Sequence, residues 1–193
     1  LGAALERIGL PVMRFKTGTP PRVDVATINF AGLEMQEEDP ETPPFSLWSK
    51  TERRFPSRAC FITRTTEETH RVIKENFGRS ALIAGLITGT GARYCPSIED
   101  KLNKFPDKET HKVFLEPEGA FSNEIYLQGL STSLPEDVQE AYVATLPGLE
   151  KARITRPGYG IEYDIVDPID LHPTLMSKSI PNLFLAGQIN GTS

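Results

Sequence analysis

The chain has 193 residues, 38% of them apolar and 24% charged, which is enough apolar content for a packed core and argues against disorder. A net charge of −5 and a pI of about 5.3 exclude binding to nucleic acid by overall charge, leaving only a local basic patch for that purpose. Two cysteines, Cys60 and Cys95, do not make a disulfide framework and fit a reducing compartment; the sequence has no run of 18 apolar residues, and no signal peptide is expected.

The sequence opens inside a helix, with Leu1, Leu5 and Ile8 on one face and Gly9 as its C-cap. Leu10 to Lys16 reads as a strand, and Lys16 to Arg22 as a Gly/Pro loop whose Thr17, Thr19 and backbone amides suit a polar ligand or an ordinary turn. Asp24 to Ser57 has little periodicity. Its prolines (Pro40, Pro43, Pro44, Pro56) and acids (Glu37, Glu38, Asp39, Glu41) predict a solvated connector, pinned to the core by Phe45, Leu47 and Trp48.

Ala59 to Thr63 predicts a strand. Thr65 or Thr66 then caps a helix to about Asn76, with Glu67 and Glu68 in its first turn and Gly78 ending it. The apolar run Ala81 to Ile87 predicts another strand. Two strands, Lys112 to Glu116 and Asn123 to Gln128, flank the turn at Pro117-Glu118-Gly119. Pro135 opens a helix to about Thr145. Ala152 to Arg156, Ile161 to Val166 and Asn182 to Ala186 predict the remaining strands, the last ending in Gly187-Gln188 as a doubly wound sheet meets a ligand. His70, His111 and His172 have no metal-ligand spacing, and no metal is expected.

The chemistry concentrates between Gly89 and Phe105. Gly89 and Gly91 let the backbone approach a bound group, although Tyr94 stands where a dinucleotide fingerprint has its third glycine. Arg93, Lys101 and Lys104 surround Cys95, Pro96 fixes the chain behind it, and Ser97 caps a short helix with Glu99 and Asp100 in its first turn. A thiol in that setting has a lowered pKa; the competing reading is a small packed hydrophobe. Cys60, in an apolar strand, reads as packed.

Four strings carry a family resemblance: Gly-Ala-Arg-Tyr-Cys-Pro-Ser-Ile-Glu-Asp-Lys at 91–101, Arg-Pro-Gly-Tyr-Gly-Ile-Glu-Tyr-Asp at 156–164, Lys-Thr-Gly-Thr-Pro-Pro-Arg at 16–22 and Ala-Gly-Gln-Ile-Asn-Gly-Thr at 186–192. Together they resemble the GidA/MnmG family of flavoproteins that modify the tRNA wobble uridine. Ala92 and Gly160 stand where many relatives are expected to have Pro and Ala. The N-terminal Gly-x-Gly-x-x-Gly and the C-terminal helical region of the family are not in this sequence, so the chain is expected to be a central fragment, inactive in isolation.

The resemblance implies an α/β (α+β, mixed-sheet) fold: part of a FAD-binding Rossmann-like domain (1–23 and 166–193) with a nicotinamide-binding insertion (24–165). It implies FAD, NADH and a methylene-folate, a cytoplasmic homodimer away from membranes, and tRNA and an MnmE-like GTPase as partners. The reaction implied is installation of a (carboxymethyl)aminomethyl group on uridine C5. Cys95 is the candidate nucleophile. Gly89, Gly91, Ala92, Arg93, Tyr94, Pro96, Ser97, Ile98, Glu99, Asp100 and Lys101 are candidate cofactor contacts, with Lys16, Thr17, Gly18, Thr19, Gly187 and Gln188 on the flavin side. Arg93 and Lys101 are also candidates for tRNA phosphate.

Two other readings stand beside this one. A disulfide-type flavin or nicotinamide oxidoreductase calls for a cysteine pair. A non-catalytic tRNA-binding module calls for a basic face from Arg14, Lys16, Arg22, Arg53, Arg54 and Arg58.

Overall fold

In a computed structural model, residues 1–37, 46–48, 56–91 and 96–191 are described. Ala92, Arg93, Tyr94 and Cys95, the acidic and proline cluster at 38–45, Arg53, Arg54 and Thr192 lie outside the described residues.

The described strands form two sheets. The larger is antiparallel throughout, built from β2 (Arg22–Asp24), β3 (Glu34–Gln36), β4 (Cys60–Arg64), β6 (Lys112–Pro117), β7 (Glu124–Gln128) and β8 (Ile154–Arg156) in the order β3-β4-β6-β7-β2-β8. The smaller is mixed: β1 (Val12–Thr19) lies between β5 (Thr90–Gly91), which runs parallel to it, and β9 (Tyr159–Val166), which runs antiparallel.

Alternation in β6 and β7 explains the larger sheet. Val113, Leu115, Ile125 and Leu127 all turn to one face and are buried. Onto that face pack α2 (Glu67–Glu75), α3 (Ile98–Lys104) and α4 (Glu136–Val143), through Ile73, Ile98, Leu102, Val138, Tyr142 and Val143. Each completely buried aliphatic side chain contributes roughly 1.5–3 kcal/mol. A second, smaller core joins Leu10, Val166, Leu171 and Leu185, with Leu5 of α1 (Gly2–Arg7) against it.

The helix starts follow the capping rules. Thr66 and Thr69 form a reciprocal capping box at α2, and the Ser97 side chain accepts from the Asp100 N–H at α3, as expected. Pro135 is the N-cap of α4 and lies just outside its first turn.

Several expectations are corrected. Ala81 to Ile87 is a chain of turns, because side chains capture its amides: Ser133 Oγ accepts from Leu82 N, and Ser80 Oγ from Ile83 N. Lys16 to Thr19 continues β1, since β9 pairs with it residue for residue (Lys16 with Glu162, Gly18 with Gly160), so only Pro20-Pro21 turns. Asn182 to Ala186 is not a strand. Asn182 sits at φ 64°, and Phe184 makes a single bridge to Met176. The connector from Asp24 holds a 3-10 turn (Val25–Thr27) and β3. Leu47 and Trp48 are 94% and 91% exposed and anchor nothing in the core. Leu1 and Ile8 are exposed as well, leaving Leu5 as the packed residue of the first helix.

Candidate functional site

Three of the four sequence strings meet on the smaller sheet. β1 carries Lys16, Thr17, Gly18 and Thr19 and lies between Thr90–Gly91 on one side and Tyr159–Val166 on the other. The approach of β5 to β1 is close enough to demand glycine: a Cβ on Gly89 would sit 2.7 Å from the Phe15 carbonyl carbon and 2.8 Å from its oxygen. The 16–22 and 156–164 strings also touch at their turns, where a Cβ on Gly158 would lie 2.6 Å from the Thr19 carbonyl oxygen. Gln139, buried in α4, fixes that turn by donating to Gly158 O at 2.9 Å and accepting from Gly158 N at 2.6 Å.

Where β1, β5, β9 and the N-terminal end of α3 converge, a cleft opens. Its lining comprises Lys16, Thr17, Gly18, Leu82, Gly91, Ser97, Asp100, Ser131, Thr132, Ser133 and Gly160. Lys16 Nζ lies 3.8 Å from Asp100 Oδ2 across it. The walls therefore offer one ammonium, one carboxylate and several hydroxyls around small residues. That donor set suits a ligand with sugar hydroxyls and phosphate.

Of the sequence candidates, Lys16, Thr17, Gly18, Gly91, Ser97 and Asp100 are brought together here. Ile98 and Glu99 are fully buried and support the cleft from below. Glu99 Oε1 accepts from Ser80 Oγ at 3.1 Å, Ser133 N at 2.9 Å and Ser133 Oγ at 3.3 Å, tying three walls of the cleft together. Lys101 reaches away to donate to Gly129 O at 2.7 Å. Thr19, Gly89 and Pro96 flank the lining residues.

Gly187 and Gln188 are not part of the cleft. Their 3-10 turn packs at the other end of β9, where a Cβ on Gly191 would meet Ile165 Cδ1 at 3.1 Å. From Gly160 to Ile165 is roughly 17 Å along the strand. Cys95, Arg93, Ala92 and Tyr94 are outside the described residues, between Gly91 and Pro96.

The Ser131-Thr132-Ser133 segment was not singled out in the sequence. Its signal was present: three consecutive hydroxyl residues between a strand and a helix-opening proline. Glu162 lies within the 156–164 string. Its Oε1 accepts from the Thr88 and Gly89 amides at 2.7 and 2.6 Å, while Oε2 lies 3.1 Å from Arg14 Nε. These partners, the Gly89 N–H foremost, hold its carboxyl below the usual range.

Cys60 lies half-buried in β4, and burial with the nearby Glu116 pushes its thiol up, away from thiolate character. The described cations of the expected basic face are engaged within the fold. Arg14 pairs with Glu162 and Asp164, Arg22 with Glu118, and Lys16 with Asp100, while Arg58 donates to the Gly119 and Ser122 carbonyls. Behind α3, the buried His70 and His111 rings lie 5.6 Å apart, and Thr65 Oγ1 bridges His70 Nε2 at 2.7 Å to the His111 N–H at 2.8 Å. Among the described residues no group of His, Cys, Asp and Glu forms a metal site, and no helix is long and apolar enough to cross a membrane.

Comparison with known proteins agrees with the convergence of the strings. The family model for glucose inhibited division protein A matches residues 1–193. The tRNA uridine 5-carboxymethylaminomethyl modification enzyme MnmG of Bacillus velezensis is 53% identical over 193 residues, covering 100% of this chain and 31% of that protein. The structure of Aquifex aeolicus GidA in crystal form I aligns with a TM-score of 0.88 at 51% identity, over 100% of this chain and 33% of that one. Its form II gives a TM-score of 0.84 at 47% identity, over 98% and 30%. The chain thus spans about a third of the length of these relatives. With a family model matched from end to end and the same mixed α/β fold in its relatives, the chain belongs to the GidA/MnmG family.

Proposed function

We propose that the chain is the central part of a FAD- and NADH-dependent enzyme that acts with an MnmE-like GTPase. That enzyme installs a (carboxymethyl)aminomethyl group on C5 of the tRNA wobble uridine, using a methylene-folate as one-carbon donor. The observation that carries this reading is the meeting of described residues of the 16–22, 91–101 and 156–164 strings around one hydroxyl-lined cleft. The donor set fits a nicotinamide cofactor: Ser97, Ser131, Thr132 and Ser133 suit ribose hydroxyls, and Lys16 suits phosphate. When bound, NADH supplies the hydride that FAD accepts. The residues here bind and orient that ligand, with Gly91 and Gly160 among the walls of the cleft. Gly187 and Gln188 belong to a separate face, assigned to the flavin, whereas Lys16, Thr17 and Gly18, expected beside them on the flavin side, line the cleft assigned to the nicotinamide.

Cys95 takes the role of nucleophile. Uridine C5 is a poor nucleophile; a thiolate that bonds to C6 pushes the C5–C6 electron pair toward O4 as an enolate, which makes C5 reactive. Loss of the C5 proton after substitution then expels the thiolate. Arg93 and Lys101 are assigned to thiolate or tRNA phosphate, with Lys101 anchored at Gly129 O in the described fold.

The division into 1–23, 24–165 and 166–193 is proposed as well. The crossing between sheets at Pro20-Pro21 lies near its first boundary, whereas the return crossing at Pro157-Gly158 comes ahead of its second, since β9 (Tyr159–Val166) already pairs with β1. A cytoplasmic homodimer is part of the same proposal. The reading is favoured over a disulfide-type oxidoreductase because Cys60 has a raised pKa and sits in a packed strand. It is favoured over a non-catalytic module because Arg14, Arg22 and Arg58 of the expected basic face are engaged within the fold.

The test is reconstitution. The full-length enzyme carrying this sequence, with its GTPase partner, FAD, NADH, methylene-folate and unmodified tRNA, should add mass at the wobble uridine. Tight tRNA binding without NADH oxidation or added mass would instead support the binding-module reading.

A further inference from the structure

Glu162 holds the Gly-rich segment just ahead of the cleft from across the sheet. Glu162 stands opposite Lys16 in the β1–β9 register, one strand away from β5. One of its oxygens, Oε1, collects two consecutive backbone N–H groups, Thr88 at 2.7 Å and Gly89 at 2.6 Å, with the Thr88 hydroxyl at 3.4 Å. Its other oxygen is turned to Arg14 Nε at 3.1 Å, and Arg14 also donates to Asp164 at 3.0 Å. The side chain is only 16% exposed.

Two features make this contact more than local decoration. Among the described residues the β5–β1 ladder pairs Phe15 with Thr90 and Lys16 with Gly91, so the segment meets β1 immediately after the two amides that Glu162 binds. The residues immediately beyond the clamp, Gly91 and its partner Lys16, are both walls of the cleft. A charge-assisted pair of hydrogen bonds at Thr88–Gly89 thus sets where Gly91 stands against Lys16.

We propose that Glu162 is a positioning residue for the cleft: through the Thr88 and Gly89 amides, and braced by Arg14, it holds the Gly91 wall at the place where the ligand binds. This deepens the nicotinamide reading of the cleft and rests on it for the identity of the ligand. Glu162 touches no ligand itself. Its acceptor oxygen is what matters, so Gln, which keeps one carbonyl oxygen, retains most of the function, and Ala does not. Arg14→Gln removes the brace and leaves both amide bonds in place.

The experiment uses the full-length enzyme in wild-type, Glu162→Ala, Glu162→Gln and Arg14→Gln forms. Hydrogen exchange at the Thr88 and Gly89 amides is read by mass spectrometry, and flavin reduction is read against NADH concentration. In Glu162→Ala, exchange at these two amides rises at least tenfold. KM for NADH rises at least fivefold while kcat changes less than twofold. Glu162→Gln stays within threefold of wild type on both readouts, and Arg14→Gln falls between the two variants. Unchanged exchange in Glu162→Ala overturns the clamp whatever the ligand is. Raised exchange with unchanged KM overturns the positioning role. A wild-type enzyme whose flavin is not reduced by NADH refutes the nicotinamide reading, and the exchange arm still decides whether the clamp exists.

Discussion

Replacing Glu99 by alanine removes the one acceptor that joins the Ser80 turn, the Ser133 segment and the first turn of α3. The residue is completely buried, and its Oε1 takes three donors at 2.9–3.3 Å. Two of these donors are hydroxyls that already find each other, Ser80 Oγ and Ser133 Oγ at 2.8 Å, so they re-pair cheaply. The third, the Ser133 N–H, has no such substitute, and an unsatisfied buried donor costs about 1–3 kcal/mol. The small cavity left by the carboxyl group adds about 1 kcal/mol, reduced where a water enters it. The expected loss is about 2–4 kcal/mol, or roughly 5–12 °C in Tm for a chain of this size. Glu99→Gln keeps the acceptor oxygen, and so should lose under about 1 kcal/mol. Thermal unfolding of the wild-type chain and both variants, followed by circular dichroism, supplies the comparison. The reasoning is refuted if Glu99→Gln is as damaging as Glu99→Ala, since the charge and not the acceptor would then be holding the walls. A loss below about 1 kcal/mol in the alanine variant would refute it equally.

Acid should weaken the fold through the histidine pair. Desolvation, followed by Lys108, His70 and Lys101, depresses His111 to about 4, and desolvation lowers His70 as well. Between the unfolded value of about 6.5 and the folded one, the unfolded chain binds more protons, so stability falls as pH drops through that window. The loss at His111 is about 2 kcal/mol after solvent screening, complete below pH 4, and His111→Phe should flatten a Tm-versus-pH profile that otherwise slopes there. Gly89→Ala should displace β5 from β1, because its Cβ would meet Phe15 backbone at 2.7 Å. A cost of about 1–3 kcal/mol is expected, with faster amide exchange at Thr90 and Gly91; a wild-type exchange pattern would show that the two strands separate easily.

How much of this was legible in the sequence depended on how local the cause was. β6 and β7 alternate cleanly, so their faces were readable, and the Thr66 and Ser97 caps follow from residues three positions apart. Lys16 to Thr19 looked like a loop because its Gly and Thr content is weak strand material, and the partner that makes it a strand lies 140 to 146 residues away in β9. Ala81 to Ile87 looked like a strand because it is apolar. The hydroxyls that bend it into turns come from Ser80 and from Ser133, 51 residues from Leu82. The cleft was half visible. Lys16 to Gly18, Gly91, Ser97 and Asp100 came from the family strings, whereas Ser131 to Ser133 enter it only through the loop after β7. Glu162 became informative only when its acceptor oxygen was seen to meet the Thr88 and Gly89 amides.

The central claim, that this chain carries the nucleophile of a wobble-uridine-modifying enzyme, is tested most directly by comparing Cys95→Ser with Cys60→Ser in the full-length enzyme with its GTPase partner. Serine keeps the size and polarity of cysteine and removes the thiolate. Cys60, half-buried with its thiol pushed up, has no part in the proposed chemistry. The account predicts that Cys95→Ser abolishes modification of the tRNA while flavin content and flavin reduction by NADH stay normal, and that Cys60→Ser modifies tRNA at close to the wild-type rate. Near-normal modification by Cys95→Ser would contradict it.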